Sequence, residues 1–360
     1  MTSGRPRTIL VTGNMGYVGP AVVDHLRESV PGATLMGLDT GYFAHCLTGA
    51  APLPERALDR QYFGDVRRAH PSLLEGVDAV VHLAAISNDP IGNAYDTVTL
   101  SVNHEATVRV ARAAKAAGAR SFVFASSCSI YGVSGDTVAT EDAPARPLTP
   151  YARSKWFAER GLSDLADERF AVTSLRFATA CGMSERLRLD LVLNDFVASA
   201  IATGRITILS DGTPWRPLIH VRDMARAIEW AVQRAEGGSF VAVNVGSDEW
   251  NYRIRDLAEE VSDAITGVEV SLATTAAPDQ RSYRVSFERF RELAPNHQPQ
   301  VALRAAVDEL ADGLNAIGFA DPDFRSSHLV RLVALQDLRE RGLINAQLEW
   351  IDGKGHQDRR

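Results

Sequence analysis

The sequence predicts a doubly wound α/β fold. Three observations predict it: short β-branched apolar runs alternate with longer stretches of helical period, a three-glycine loop follows the first run, and an aspartate ends the second. The runs TILVT (8–12), TLMGLD (34–39), DAVVHLA (78–84), SFVFAS (121–126) and AVTSLRF (171–177) are nearly continuous in apolar character. That is the pattern of parallel strands buried on both faces. Helices are expected over 17–29, 94–117 and 151–168, with Gly118 placed where a C-terminal cap falls.

The regular alternation loosens after residue 178. Residues 179–215 mix charges, a helix over 190–203 and a Gly/Pro turn at SDGTPW. The expected organisation is therefore a Rossmann-type domain over 1–178, with 216–247 returning to it. Residues 179–215 and 248–345 would form a smaller, helix-rich C-terminal substrate lobe. The last helix, within 322–345, is expected to dock on its own lobe, and 346–360 to be a disordered tail.

Composition narrows the function classes. With 360 residues, 45% hydrophobic and 23% charged, the chain is long enough for a large core and ordinary in balance. A net charge of −7 with scattered basic residues argues against a nucleic-acid partner. Cys46, Cys128 and Cys181 lie far apart without metal-ligand spacing, so neither a disulfide framework nor a bound metal is expected. There is no signal-peptide pattern and no run of 18 apolar residues. The expectation is a soluble cytoplasmic protein with no membrane contact.

The loop VTGNMGYVG spaces Gly13, Gly16 and Gly19 as GxxGxxG between the first strand and the first helix. Close backbone approach and a helix N-terminus suit a pyrophosphate. Asp39, 20 residues past Gly19, sits where a carboxylate accepts from ribose hydroxyls. It would repel a 2′-phosphate and no arginine stands beside it, which favours NAD over NADP. A carboxylate that only caps the turn before Gly41 would look the same. Asp65, in YFGDV, is a candidate for the adenine amino group. Ser87 and Asp89, in HLAAISNDP, stand just past a strand end, placed either for sugar hydroxyls or for loop capping.

Tyr151 and Lys155, in PYARSK, fall on one helical face because i and i+4 are neighbours. A free phenol has a pKa of about 10, and a nearby ammonium favours its ionised form. A base on a hydroxyl beside a hydride acceptor is what alcohol oxidation needs. The strand FVFAS leads into a run of hydroxyls, SSCSIYG (126–132), at the sheet edge where such folds bind ligands.

Taken in order, these motifs resemble the extended short-chain dehydrogenase/reductase family, the sugar-nucleotide epimerases and dehydratases. The likeness runs over about residues 7–320 and rests on GNMGYVG, Asp39, HLAA (82–85), SSCSIYG, YxxxK, GTPWRPLIHVRDMARA (212–227) and NVG (244–246). It implies Ser127 as the catalytic hydroxyl, Tyr151 as acid/base, and Lys155 as the ribose-binding, pKa-lowering group. It further implies NAD held by Gly13, Met15, Gly16, Tyr17, Val18, Gly19, Asp39, Asp65, Val66, Leu83, Ala84, Ala85 and Asn103, with Tyr151 and Lys155. A nucleotide-diphosphate sugar would be bound by Ser87, Ser127, Tyr151, Thr179, Asn194, Arg216 and Arg281, with Cys128 either a proton shuttle beside it or, as base rates of cysteine burial favour, a small buried thiol that fills space. Relatives often pair as homodimers through helices such as 94–117 and 151–168.

Departures from the family pattern narrow the expected reaction. Dehydratases of this kind carry Asp-Glu where this chain has Cys128 and Ser129. The 3,5-epimerases place a cysteine one position later than Cys128. The remaining Ser–Tyr–Lys set suffices for C4 epimerisation through a transient ketone. Thr179, where 4-epimerases usually have asparagine, is a departure from that class as well. Dehydration, decarboxylation, 3,5-epimerisation and ketosugar reduction on the same scaffold are the alternatives, with a non-catalytic dinucleotide sensor as a further one.

Overall fold

The computed structural model describes residues 7–49, 52–234, 239–273 and 281–351. Seven parallel strands form the central sheet: β1 (Thr8–Thr12), β2 (Thr34–Asp39), β3 (Arg60–Phe63), β4 (Ala79–His82), β5 (Ser121–Ser127), β6 (Ala171–Phe177) and β7 (Phe240–Val245). Their spatial order is β7-β6-β5-β4-β1-β2-β3, so the chain reverses direction across the sheet between β1 and β4. Ligands in such sheets lie outside the carboxyl ends at that reversal.

Both faces of the sheet are covered, which is why its inner strands contain no polar alternation. Helix α1 (Gly19–Ser29) packs with a later helix, α5 (Val221–Gln233), on one face. Helices α2 (Thr107–Ala116) and α3 (Pro150–Ser163) cover the other, through Val110, Ala114, Ala158 and Leu162. The expected single helix over 94–117 is instead two short helices, Asp89–Ala94 and Asp96–Leu100, followed by a π-helical stretch, Ser101–Ala106, and then α2. The π-turn sits where the Asn103 side chain leaves the helix to bond a neighbouring loop.

The smaller lobe contains α4 (Val192–Thr203), α6 (Ile254–Ala264) and α7 (Leu303–Ala316), packed against one another, with the strand pair Arg205–Ile208 and Glu269–Leu272. Strands Thr179–Cys181, Trp215–His220 and Asn251–Arg253 form a three-stranded sheet at the junction.

The last helix, α8 (Arg331–Glu340), departs from expectation: it docks on the Rossmann side. Its Leu335 and Leu338 share a cluster with Tyr42, Ile86, Ile91, Tyr95 and Val98. Residues 346–351, expected to begin a disordered tail, form a hook. Leu348 is buried, Ile344 bridges Trp350, and Trp350 Nε1 donates to Thr40 O at 2.7 Å. Apolar side chains at 344, 348 and 350 explain why this stretch folds back. Residues 352–360 lie outside the described residues. Among the described residues no helix is long and apolar enough to cross a membrane.

Candidate active site

A cleft of about 720 Å³ runs along the carboxyl ends of the strands, from Asp39 and Asp65 at one end to Tyr151, Thr179 and Arg216 at the other. Gly13, Gly16, Tyr17, Val18 and Gly19 form its floor. Gly13 has φ +76°, and a Cβ there would stand 2.5 Å from the Ala84 nitrogen. Only glycine lets the loop settle this close to the strand edge. The N-terminus of α1 has no side-chain cap, which leaves its first-turn N–H groups for a ligand anion.

Asp39 accepts from Met15 N at 3.1 Å and from Gly41 N at 2.8 Å. It therefore caps its turn, ties down the glycine loop and faces the cleft at once. Burial pushes its carboxyl pKa up, and the two N–H groups pull against that shift. These features fit NAD: a close backbone cradle for a pyrophosphate and a carboxylate acceptor at the end of β2. Val66, Leu83, Ala84 and Ala85 line the same cleft. Asp65 lines it too, but its carboxylate is gripped by the Arg67 guanidinium at 2.5 and 2.8 Å. Arg67 then reaches Gln347 O and Leu348 O in the C-terminal hook.

At the other end, Thr149 caps α3 by accepting from Ala152 N at 3.2 Å, and Pro150 occupies the first helical position. Those two residues fix where Tyr151 projects. Ser127, at the end of β5, lies beside the Tyr151 phenol, where it favours the ionised form, and accepts from Ser129 N at 3.2 Å. Lys155 is buried, donates to Ala125 O at 2.6 Å and sits 5.7 Å from the Tyr151 ring centroid.

The expected charge shift is absent from this arrangement. Burial raises the phenol to about 12; Ser127 and Arg188 pull it down, while Asp89 and Tyr283 push it up. Burial also lowers Lys155 to about 7, opposed by Glu159 one turn on. Glu159 accepts from Ser126 and from Arg176 at 2.8–3.1 Å. Arg176 donates to Tyr131 OH at 3.0 Å, and Tyr131 OH donates to Asn244 Oδ1 at 2.6 Å. A buried polar chain thus runs from α3 through β6 to β7.

Of the expected sugar-nucleotide contacts, Ser87, Ser127, Tyr151, Thr179, Arg216 and Arg281 line the cleft. Arg216 is buried 5.4 Å from the Tyr283 ring centroid and donates to Trp215 O at 2.8 Å. Arg281 pairs with Asp89, whose second oxygen accepts from Thr149 at 2.5 Å.

Four expected residues lie off the cleft. Cys128 is fully buried, donates its thiol to Arg176 O at 3.0 Å, and is pushed well up in pKa by burial. Asn194 spends its amide on Gly182 N, Tyr17 OH and Arg188 O. Asn103 bonds both Ile86 N and Ile86 O, and also Ser154 Oγ. Met15 is buried and contributes its backbone N–H to Asp39.

Several cleft residues were not expected. Arg188 and Asp190 form a buried pair at 2.9 Å, Arg188 donates to Ser87 Oγ, and Asp190 accepts from Asn88. The signal was present in ERLRLDL (185–191), where charges alternate with leucines: an extended segment whose leucines enter the core turns its charges the other way. Tyr283, Arg331, Leu335 and Leu348 also line the cleft.

The sheet, its glycine loop and the cleft at the strand reversal define a dinucleotide-binding enzyme. The profile of the NAD dependent epimerase/dehydratase family matches residues 9–246, and the chain belongs to that family as an NAD-dependent enzyme. The UDP-glucose 4-epimerase of Streptomyces lividans is 29% identical over 271 residues, spanning 70% of this chain and 79% of the relative. The dTDP-glucose 4,6-dehydratase of Streptomyces griseus is 29% identical over 313 residues, 86% of this chain and 92% of the relative. Among solved structures, MoeE5 in complex with UDP-glucose and NAD superposes with a TM-score of 0.73 at 27% identity, over 86% of this chain and 99% of MoeE5.

Proposed function

We propose that the protein is a nucleotide-sugar epimerase acting at C4 through a transient 4-keto sugar. The observation that carries this reading is the composition of the reacting end of the cleft. Tyr151 and Ser127 line that end together, which supports a proton exchange through the phenol. The nearby carboxylates are engaged, Asp89 by Arg281 and Thr149, and Asp190 by Arg188 and Asn88. Cys128 lies behind the strand. Dehydration and C3 or C5 epimerisation need a further acid or base to act at carbon, whereas C4 epimerisation uses one group twice at one oxygen.

In this mechanism Tyr151 takes the proton of the C4 hydroxyl as that carbon is oxidised, and returns it when the ketone is reduced on its opposite face. Ser127 bonds the same oxygen and holds the phenol in line. Lys155, anchored on Ala125 O, borders the cofactor ribose position. Bound NAD supplies the hydride acceptor and donor and, when oxidised, a positive charge that favours the phenolate. Arg216 and Arg281 stand where guanidinium forks suit a diphosphate. UDP-sugar relatives in both sequence and structure support that substrate class.

The reading includes a homodimer through the outer faces of α3 and the preceding helices, where Phe157 stays 40% exposed beside His104. Analytical ultracentrifugation should give twice the chain mass.

The reaction is tested by incubating the protein with UDP-, GDP-, dTDP- and CDP-sugars in deuterium oxide, then following products by mass spectrometry and proton NMR. An isomer of unchanged mass without carbon-bound deuterium is expected. Deuterium on carbon, or loss of water or carbon dioxide, would overturn C4 epimerisation. Tyr151→Phe should lower kcat by roughly 100- to 10,000-fold while the protein still binds NAD.

A further inference from the structure

Three stretches far apart in sequence meet above the glycine loop. Thr48 N donates to Glu185 O at 2.9 Å, and Ser184 Oγ donates to Tyr17 O at 2.8 Å within the loop itself. Leu189 N donates to Leu329 O at 3.0 Å, and the Cys46 thiol to His328 O at 3.3 Å. Segments 41–49, 184–191 and 324–351 together roof the dinucleotide half of the cleft.

Three buried guanidiniums stand in this roof. Arg186 pairs with Glu55 at 2.6 Å and Arg188 with Asp190 at 2.9 Å. Arg331 is different. It is 1% exposed and lines the cleft, its Nη2 donates to Arg186 O at 2.7 Å, and its guanidinium lies 4.8 Å from the Phe43 ring centroid. Its Nη1 has no hydrogen-bond partner, and among the described residues it makes no ion pair. Burial pushes its pKa down to about 10, with Arg188 and Arg186 adding to the shift and Cys46 and Asp190 opposing it. A buried cation with an unused donor is costly unless something else supplies the anion.

We propose that Arg331 binds a diphosphate ester, the pyrophosphate of the bound dinucleotide, so that helix α8 completes the cofactor site from outside the family core. The neighbouring glycine loop is shaped for that anion, and a planar guanidinium fork matches two of its oxygens. Sequence position agrees, since Arg331 lies beyond the 9–246 stretch that the family profile covers. The C-terminal hook holds α8 in place: Tyr42 OH and Trp350 Nε1 bond across to Leu348 O and Thr40 O, and Leu348 itself lines the cleft. The inference rests on NAD dependence and not on which sugar reacts.

The test uses the full chain, freed of nucleotide, carrying Arg331→Met or Arg331→Gln. Isothermal titration calorimetry would compare NAD, ADP-ribose, adenosine and UDP. Either variant should bind NAD and ADP-ribose roughly 10- to 100-fold more weakly, the scale of one lost charge-assisted hydrogen bond. Adenosine and UDP affinities should stay within about twofold, because neither loses a partner at this position. The nucleotide-free melting temperature should fall only by a few degrees, because the Nη2 bond to Arg186 O and the Phe43 contact are lost while no ion pair is broken. Wild-type ADP-ribose affinity in either folded variant would overturn the proposal. So would a fall in UDP affinity instead, which would move Arg331 to the sugar nucleotide's diphosphate. A larger fall in melting temperature with adenosine weakened in parallel would make Arg331 structural, which also overturns it.

Discussion

Ser127 and Cys128 are chain neighbours that end in different surroundings. Ser127 faces the cleft at the carboxyl end of β5, and Cys128 turns into the core against Arg176 O. The hydroxyl is therefore open to the cleft, as the proposed reaction needs, and the thiol belongs to the packing. Cys128→Ala should keep kcat within about threefold; a loss near 100-fold, the scale of a missing general acid or base, would restore the thiol as a proton carrier. Asp39, Tyr151 and Lys155 were readable in the sequence because glycine spacing and the YxxxK repeat each impose a geometry. The state of Tyr151 was not. Its phenol is governed by burial and by Ser127, Arg188, Asp89 and Tyr283, which come from four separate parts of the chain. Nor was the difference between Arg188 and Arg331 readable, since one pairs directly with Asp190 and the other makes no ion pair among the described residues.

At the scale of elements, the five inner strands were legible to within a few residues because both-face burial leaves an unbroken apolar run. The edge strands β3 and β7 are partly exposed and were not legible in this way. The helix after β4 was not. Period alone suggests one rod over 94–117, while the chain inserts a π-turn so that Asn103 can satisfy both backbone groups of Ile86. Sequence assigned Asn103 to the cofactor; the structure gives it a supporting role for the loop that carries Ser87. Asn103→Leu removes the partners of a buried N–H and a buried C=O. It should cost about 2–5 kcal/mol in urea denaturation, whereas a residue acting only on NAD would leave the nucleotide-free protein unchanged. The C-terminal helix was seen but placed on the wrong lobe. Its apolar positions announce burial without naming the surface that receives them.

For the whole molecule, His82 makes folding depend on pH. It is fully buried on β4, with Thr12 Oγ1 at 2.9 Å on one ring nitrogen and Thr107 Oγ1 at 3.0 Å on the other. Burial, helped by the Lys155 charge, lowers its pKa to about 3. An unfolded chain restores a value near 6.5, so between those limits it binds one more proton than the native state. Stability from this group is complete above about pH 6.5 and is lost as pH falls toward 3. Between pH 7.5 and 5 the loss should be on the order of 2 kcal/mol in urea titrations, and His82→Gln should flatten that slope. A slope unchanged by the substitution would place the acid sensitivity elsewhere.

The buried chain from Glu159 through Arg176 and Tyr131 to Asn244 cross-links α3 to two strands of the sheet. The roof over the cleft is joined differently, by a small apolar cluster around Leu335, Leu338 and Leu348 and by bonds to carbonyl oxygens such as Leu329 O and Leu348 O. Amide hydrogen exchange should separate the two regions. Protection at Lys155 should approach that of the strands, while 342–351 should exchange through local openings that leave the core closed. Such openings would give the cleft an entrance beside Asp39 while Tyr151, held on the cross-linked side, keeps its place.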